Sequence, residues 1–344
     1  MTAGTGLRRR CAGIALITLA SLLSGCAGTS DQSAVKANSV QSAEAARKLK
    51  QAEVESERLR RELDRLRTQT STQTPARGAT ATKSPTPRAT RTTSVPLPPV
   101  GDPAALRVSF DRLAAQLSGS EGVAFTSVGG TATTQLGSWR TGVGWSTVKV
   151  PLAVAAVAKA QGRPDAGVRA LMRRAITASE NAAAEQLWSS LGPPQSAASQ
   201  VQAVLRSAGD GQTRVQSQRV RPGFTAFGQT TWSLANQSKF AAALPCIRYS
   251  NDVIALMGAV ESGQRWGIGA AGRPAQFKGG WGPGTGGGYL VRQMGIVTLA
   301  NGSRIGLAIA SQPADGSFGT GTANVTALAR WAVANIRPAA PGGC

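Results

Sequence analysis

The run Ser146-Thr147-Val148-Lys149 opens the apolar stretch STVKVPLAVAAVAKAQ, residues 146–161. The stretch has helical composition and meets a stop signal at Gly162. Serine and lysine three apart on a helix share one face, about one turn from each other. A serine hydroxyl is a poor nucleophile until a base takes its proton. A lysine in a dry pocket can be that base, because burial disfavours the ammonium. Pro151 lacks a backbone donor, so the helix is expected to start at or just before Ser146, with backbone N–H groups aimed at the serine. The alternative is an N-cap serine followed by a lysine that reaches solvent. The chain contains no histidine, which excludes Ser-His and Cys-His catalysis and every histidine-bearing metal site. No cofactor or metal is called for, and lysine is the natural base for any nucleophilic chemistry.

Around this stretch the chain runs to 344 residues, enough for one large domain with appendages. The formal net charge is +21, Arg-heavy and spread along the chain, with few aromatic residues between the charges. That pattern suits attraction to anionic lipid or wall polymer, or else a solvated basic surface, and gives no nucleic-acid code. At the N-terminus Arg8-Arg9-Arg10 precedes a short apolar run, Cys11 to Leu23, and then Leu23-Ser24-Gly25-Cys26. The run is too short for a membrane span and has signal-peptide flanks. It resembles a bacterial lipobox, which implies cleavage before Cys26, lipidation of its thiol, and membrane attachment outside the cytoplasm. Cys246 and Cys344 then remain, an even pair in an oxidising compartment. They are expected either to form a disulfide or to stay as one buried and one free terminal thiol.

The organisation follows in order: a signal peptide over 1–25, a helical stalk over 26–67, a linker over 68–102 and a folded domain over 103–344. In the stalk Ser42, Ala45, Leu49, Ala52, Ser56, Leu59, Leu63 and Leu66 recur at heptad spacing. This reads as a short coiled coil forming a homo-oligomer, or as a solvated single helix. The Thr/Ser/Pro/Arg-rich linker has almost nothing to bury and is expected to be semi-extended and disordered. In the domain, helices are expected at about 104–117, 146–161, 166–177, 181–191, 195–208, 234–244, 252–261 and 323–336. Strands are expected at 122–128, 133–139, 275–278, 289–300 and 304–311. Strands at both ends with helices between imply an α+β domain, one antiparallel sheet covered by helices.

Two further stretches carry chemistry. Ser179-Glu180-Asn181 falls in a short turn between helices. A second serine near a lysine can pass a proton to a leaving group, and an asparagine can hold the lysine or a substrate amide. The bland alternative is an N-cap. Phe277-Lys278-Gly279-Gly280-Trp281-Gly282 reads as a strand that ends in glycines, offering a cation and an open backbone edge to a carboxylate-bearing extended peptide. The alternative there is an edge-strand lysine before a flexible loop.

In this order S-T-V-K, S-E-N and K-G-G resemble the S-x-x-K, S-D-N and K-T-G motifs of the serine β-lactamase and penicillin-binding-protein superfamily, most closely class A β-lactamases. AITASENAAAEQLWSSLGPP, residues 175–194, is similar to the class A stretch around S-D-N, and GDGQTRV, residues 209–215, to the approach to the Ω loop. The resemblance covers about Ala104 to Ile336, in the setting of an actinobacterial-type lipoprotein. It implies a five-stranded antiparallel sheet flanked by helices, a helix-rich lobe, and an active site between them. It also implies Ser146 as acylated nucleophile, Lys149 as base, Ser179 as proton relay and Asn181 as substrate and lysine contact. Lys278 becomes an electrostatic anchor, with Gly280 and Trp281 on the substrate-binding strand. The oxyanion hole falls to the backbone N–H of Ser146 and of Trp281 or Gly282. The partners implied are cell-wall peptide or β-lactam.

The departures from the family pattern shape the expected function. No acid lies between Asp210 and Asp252, and Val215-Gln216-Ser217-Gln218-Arg219-Val220-Arg221 is basic where the family carries its deacylating glutamate. Gly279 replaces the K-T-G threonine, and Glu180 the S-D-N aspartate. The short segment between Lys149 and Ser179 implies a trimmed wall on one side of the cleft. Arg292 is read as a surface arginine or a replacement carboxylate anchor. The expected activity is an extracytoplasmic serine acyl-enzyme hydrolase with poor β-lactam turnover. The alternative is a weak or inert domain that binds wall peptide or a partner protein.

Overall fold

The computed structural model describes residues 102–284 and 286–337. The expected signal peptide, stalk and linker, with Cys26, lie outside the described residues, apart from Asp102. So does Cys344, so the expected Cys246–Cys344 pairing is not tested; Cys246 itself is disulfide-bonded.

Helix α1 spans Pro103–Ala114, with the Asp102 carboxylate accepting from the Ala104 N–H at 2.8 Å as its N-cap. Strands β1 (Gly119–Ser127) and β2 (Thr133–Gly137) follow as a hairpin. A short β3 (Thr141–Val143) leads into a 3₁₀ turn, Trp145–Val148. The helical lobe comprises α2 (Lys149–Lys159), α3 (Ala166–Thr177), α4 (Asn181–Ser190) and α5 (Pro194–Ser207). The chain returns through β4 (Thr231–Ser233), α6 (Leu234–Ala243) and α7 (Asn251–Gly258). It closes with β5 (Ala275–Pro283), β6 (Tyr289–Thr298), β7 (Arg304–Pro313) and α8 (Phe318–Asn335). One five-stranded antiparallel sheet has the order β2-β1-β7-β6-β5, so β5 is an edge. β3 and β4 pair separately as a small antiparallel ribbon that sequence periodicity did not reveal.

Alternation along the strands divides the core in two. On β7, Ile305, Leu307 and Ile309 pack with Val325 and Leu328 of α8. Ala308 and Ala310 face the helical lobe. These residues are small because α6 lies directly on the strand: a Cβ on Gly306 would fall 2.2 Å from the Ala242 nitrogen. Helix α2 is buried along nearly its whole length, from Lys149 to Val157, and forms the centre of the lobe.

Several boundaries differ from the sequence expectation, and three of them have a local physical reason. The segment expected to be helical from Ser146 begins as a 3₁₀ turn at Trp145 and becomes α-helical only at Lys149. Pro151 thus sits in the first helical turn, where its missing N–H has no helical partner to lose. α8 starts at Phe318, five residues before the expected 323, because the Ser317 hydroxyl accepts from the Thr320 N–H at 3.0 Å. β5 does not end at Lys278. It continues through Gly279 to Pro283, paired residue for residue with β6.

Candidate active site

The glycines of β5 give the strand room to pass close to the turn that carries Ser146. A Cβ on Gly280 would lie 3.0 Å from the backbone nitrogens of both Ser146 and Thr147. A Cβ on Gly282 would lie 2.6 Å from the Trp145 ring. Side chains at these positions would push the strand away from the turn. Trp145, immediately before Ser146, holds φ at +50°, a conformation rarely adopted by a bulky residue. Its ring is wedged against Gly282 and stacks edge-on with Phe224 at 5.1 Å between centroids.

The turn is braced from behind. Gln237 Nε2 donates to Thr147 Oγ1 at 2.7 Å, and Thr147 Oγ1 donates to the Gly144 carbonyl. Gln237 in turn accepts from Arg292, whose guanidinium also donates to the carbonyls of Gly142 (3.1 Å), Val143 (3.0 Å) and Trp232 (3.1 Å). Arg292 is fully buried. It is therefore neither the surface arginine nor the carboxylate anchor expected from sequence. It is a staple between β6, the β3–β4 ribbon and α6, and through Gln237 it fixes the turn that carries Ser146.

Lys149, one turn after Ser146, is 1 % exposed. Its Nζ donates to Asn181 Oδ1 at 2.8 Å, to the Ser179 carbonyl, and at 3.4 Å to Ser179 Oγ. Lys278 Nζ reaches the same Ser179 hydroxyl at 2.8 Å and the Gly279 carbonyl at 3.0 Å. Ser179 sits in the turn between α3 and α4 with φ at +60°. That strained geometry presents both its carbonyl and its hydroxyl to lysine. Glu180, next in the turn, points away and forms a two-pronged pair with Arg174. The structure therefore gathers Lys149, Ser179, Asn181 and Lys278 into one cluster, with the Ser146 turn and Gly280 beside it. Among the described residues the Ser146 hydroxyl makes no hydrogen bond, and it stays partly exposed.

Burial sets the electrostatics. Desolvation pulls the Lys149 ammonium down to about 7, opposed by the charges of Glu180 and Glu185. Lys278, completely buried, is held well below its ordinary value by desolvation first and by the Lys149 charge second. Lys278 thus stands as a buried partner of Ser179, not as the open cation read from sequence.

On the other face of β5 the missing K-T-G threonine has a physical explanation. A Cβ on Gly279 would lie 3.1 Å from the Trp266 ring. Trp266 belongs to an aromatic group with Trp281 (5.8 Å) and Phe318 (6.1 Å) that fills this side. Asp210, before the Ω stretch, is buried and accepts from the Thr213 and Gln212 N–H groups, Trp232 Nε1 and Asn236 Nδ2. These bonds satisfy its carboxylate within the protein. Sequence reasoning missed the roles of Gln237, Trp266 and Asp210, which depend on contacts between distant segments and leave no local signal. Among the described residues no group of three or more acidic or cysteine side chains is placed to hold a metal.

No family model matches the chain, and no curated protein matches it. Solved structures do. A class A β-lactamase from Mycobacterium abscessus is similar at 18% identity and a TM-score of 0.55, over 67% of this chain and 98% of its own. A β-lactamase from Chitinophaga pinensis aligns at 17% identity and 0.54, over 67% and 98%. The TLA-3 extended-spectrum β-lactamase aligns at 14% and 0.53, over 67% and 100%.

Proposed function

With the class A β-lactamase fold as premise, we propose that this chain is an extracytoplasmic, lipid-anchored serine hydrolase that forms an acyl-enzyme at Ser146. The observation that carries the reading is the pair of buried lysines converging on one serine hydroxyl, with Lys149 held to about 7. At neutral pH roughly half of Lys149 is then free base. Ser146 Oγ attacks an amide or ester carbonyl and loses its proton to neutral Lys149. The proton passes through Ser179 to the leaving nitrogen or oxygen as the carbonyl–heteroatom bond breaks. The Ser146 N–H and a β5 N–H, from Trp281 or Gly282, face the developing oxyanion. Water then hydrolyses the ester. The substrate class is cell-wall peptide or β-lactam.

The second step lacks its own base. The Ω stretch has no acid, and general-base assistance contributes about 10²–10⁴-fold. The acyl-enzyme therefore accumulates on β-lactams. The test is intact mass after incubation with a panel of β-lactams and acyl-peptides. The expected result is slow stoichiometric labelling, abolished by Ser146→Ala, with little steady-state hydrolysis. Rapid turnover of a chromogenic cephalosporin would refute the deacylation argument.

One observation favours a second reading, an inert domain binding wall peptide or a partner protein. The protonated Lys149 spends its three donors on Ser179 and Asn181, not on Ser146. Failure of every acylating probe to label a demonstrably folded protein selects that reading.

A further inference from the structure

Position along β5 gives the cleft a direction. Lys278 meets Ser179, Gly280 meets the Ser146 turn, Gly282 meets Trp145, and the Pro283 carbonyl accepts from Arg221 at 2.8 Å. On the proposed reading, the leaving group faces the proton relay Ser179. The acyl portion of the substrate must then run the other way, toward Gly282 and Pro283. A strand advances about 3.3 Å per residue, so Pro283 stands roughly 10 Å beyond Gly280.

That end of the cleft is cationic and uncompensated. The Arg221 guanidinium lies over Phe224 (4.7 Å to the ring centroid) and over Trp145 (5.7 Å). Its neighbour Arg219 is neutralised by Glu185 at 3.0 Å. Arg221 has no carboxylate among the described residues, and its only side-chain hydrogen bond there is the one to Pro283. The indole N–H of Trp145 is also buried without an acceptor among the described residues. A guanidinium fork with donors to spare, held against two aromatic rings, is what a carboxylate would satisfy.

We propose that Arg221, held over the Trp145 and Phe224 rings, forms an anion subsite for the acyl side of the substrate, selecting acyl donors with a carboxylate within about two residues of the scissile carbonyl. This rests on the acyl-enzyme reading for its direction only. The probes are a matched pair of acyl-peptide thioesters, N-acetyl-glutamyl-alanyl and N-acetyl-glutaminyl-alanyl, with both L- and D-alanine. They differ only in the carboxylate. Binding is measured on the whole protein carrying Ser146→Ala, so that no acylation is needed. The glutamyl probe should bind about 10–100-fold tighter, and the margin should shrink between low and high salt. Adding Arg221→Gln should bring the two probes to parity, while Arg221→Lys, as a folding control, retains part of the preference. Equal affinity of the pair, no binding by either, or a preference that survives Arg221→Gln overturns the proposal. Mass labelling of the unmutated protein is scored separately: an intact glutamyl preference without labelling sinks the acyl-enzyme reading and leaves the subsite standing.

Discussion

Lys149 and Gly279 show how single residues take their character from what surrounds them. Lys149 is pulled to about 7 chiefly by desolvation, so the rate of Ser146 acylation should climb tenfold per pH unit below 7 and level off above it. Stopped-flow labelling across pH 5–9 checks this; a flat profile would exclude Lys149 as the base. The same depression has a stability sign. The unfolded lysine keeps its proton up to its ordinary value of 10.5, so between about 7 and 10.5 the unfolded chain binds more protons. The Lys149 contribution to stability therefore rises with pH across that window and is flat below about 7, where both states carry the proton. Lys149→Met should remove part of the rise in a pH series of thermal melts. A side chain at Gly279 would crowd the Trp266 ring, 3.1 Å from its Cβ. Gly279→Thr should cost about 1–3 kcal/mol through overpacking, without restoring family-like carboxylate binding. Paired with Trp266→Ala, it should show a coupling of at least about 0.5 kcal/mol in a double-mutant cycle; strict additivity would show that the ring does not exclude the threonine.

At the scale of elements, the site is held by joints between segments far apart in the chain. The Ω stretch is pinned at its start by Asp210, whose carboxylate gathers donors from residues 212, 213, 232 and 236. Asp210→Asn would turn donors against donors. Hydrogen bonds to a charged group are worth roughly 1.5–3 kcal/mol. A loss of about 2–3 kcal/mol corresponds to a Tm lower by about 4–12 °C in a domain of this size. An unchanged Tm would mean the stretch is anchored elsewhere. β5 is the other joint: its glycines are a packing requirement, since Gly280 and Gly282 lie against the Ser146 turn and the Trp145 ring. Its extension past Lys278 was hidden in the sequence because glycine normally weakens a strand.

For the whole molecule, the charge of +21 and the proposed lipidation of Cys26 make joint predictions. The protein should partition with membranes, and Cys26→Ala should leave the precursor uncut. Salt should weaken binding of the processed domain to anionic vesicles, because exposed charges are screened within about 8–10 Å at 0.10–0.15 M. A soluble, fully processed Cys26→Ala protein would count against the anchor. Fractionation and N-terminal mass measurement read both outcomes.

The fold class and most of the cluster were legible in the amino-acid sequence. Motif order, the apolar run after Ser146, and the strand-helix-strand pattern are local signals, and they placed Ser146, Lys149, Ser179, Asn181 and Lys278 in one domain. Absence of histidine pointed to lysine as base for the same reason: composition is fully visible in one dimension. The remaining features depend on contacts between segments far apart in the chain. Arg292 could not be read as a buried staple, because its partners lie at residues 142, 143, 232 and 237. Lys278 was read as open, since burial of a charged residue is exceptional and is set by the packing around it. Gly279 looked like a lost hydroxyl until Trp266 filled its space. The contacts of β5 with Ser179, the Ser146 turn and Arg221 exist only in the folded chain, because hydrophobic packing, not sequence proximity, brings those segments together.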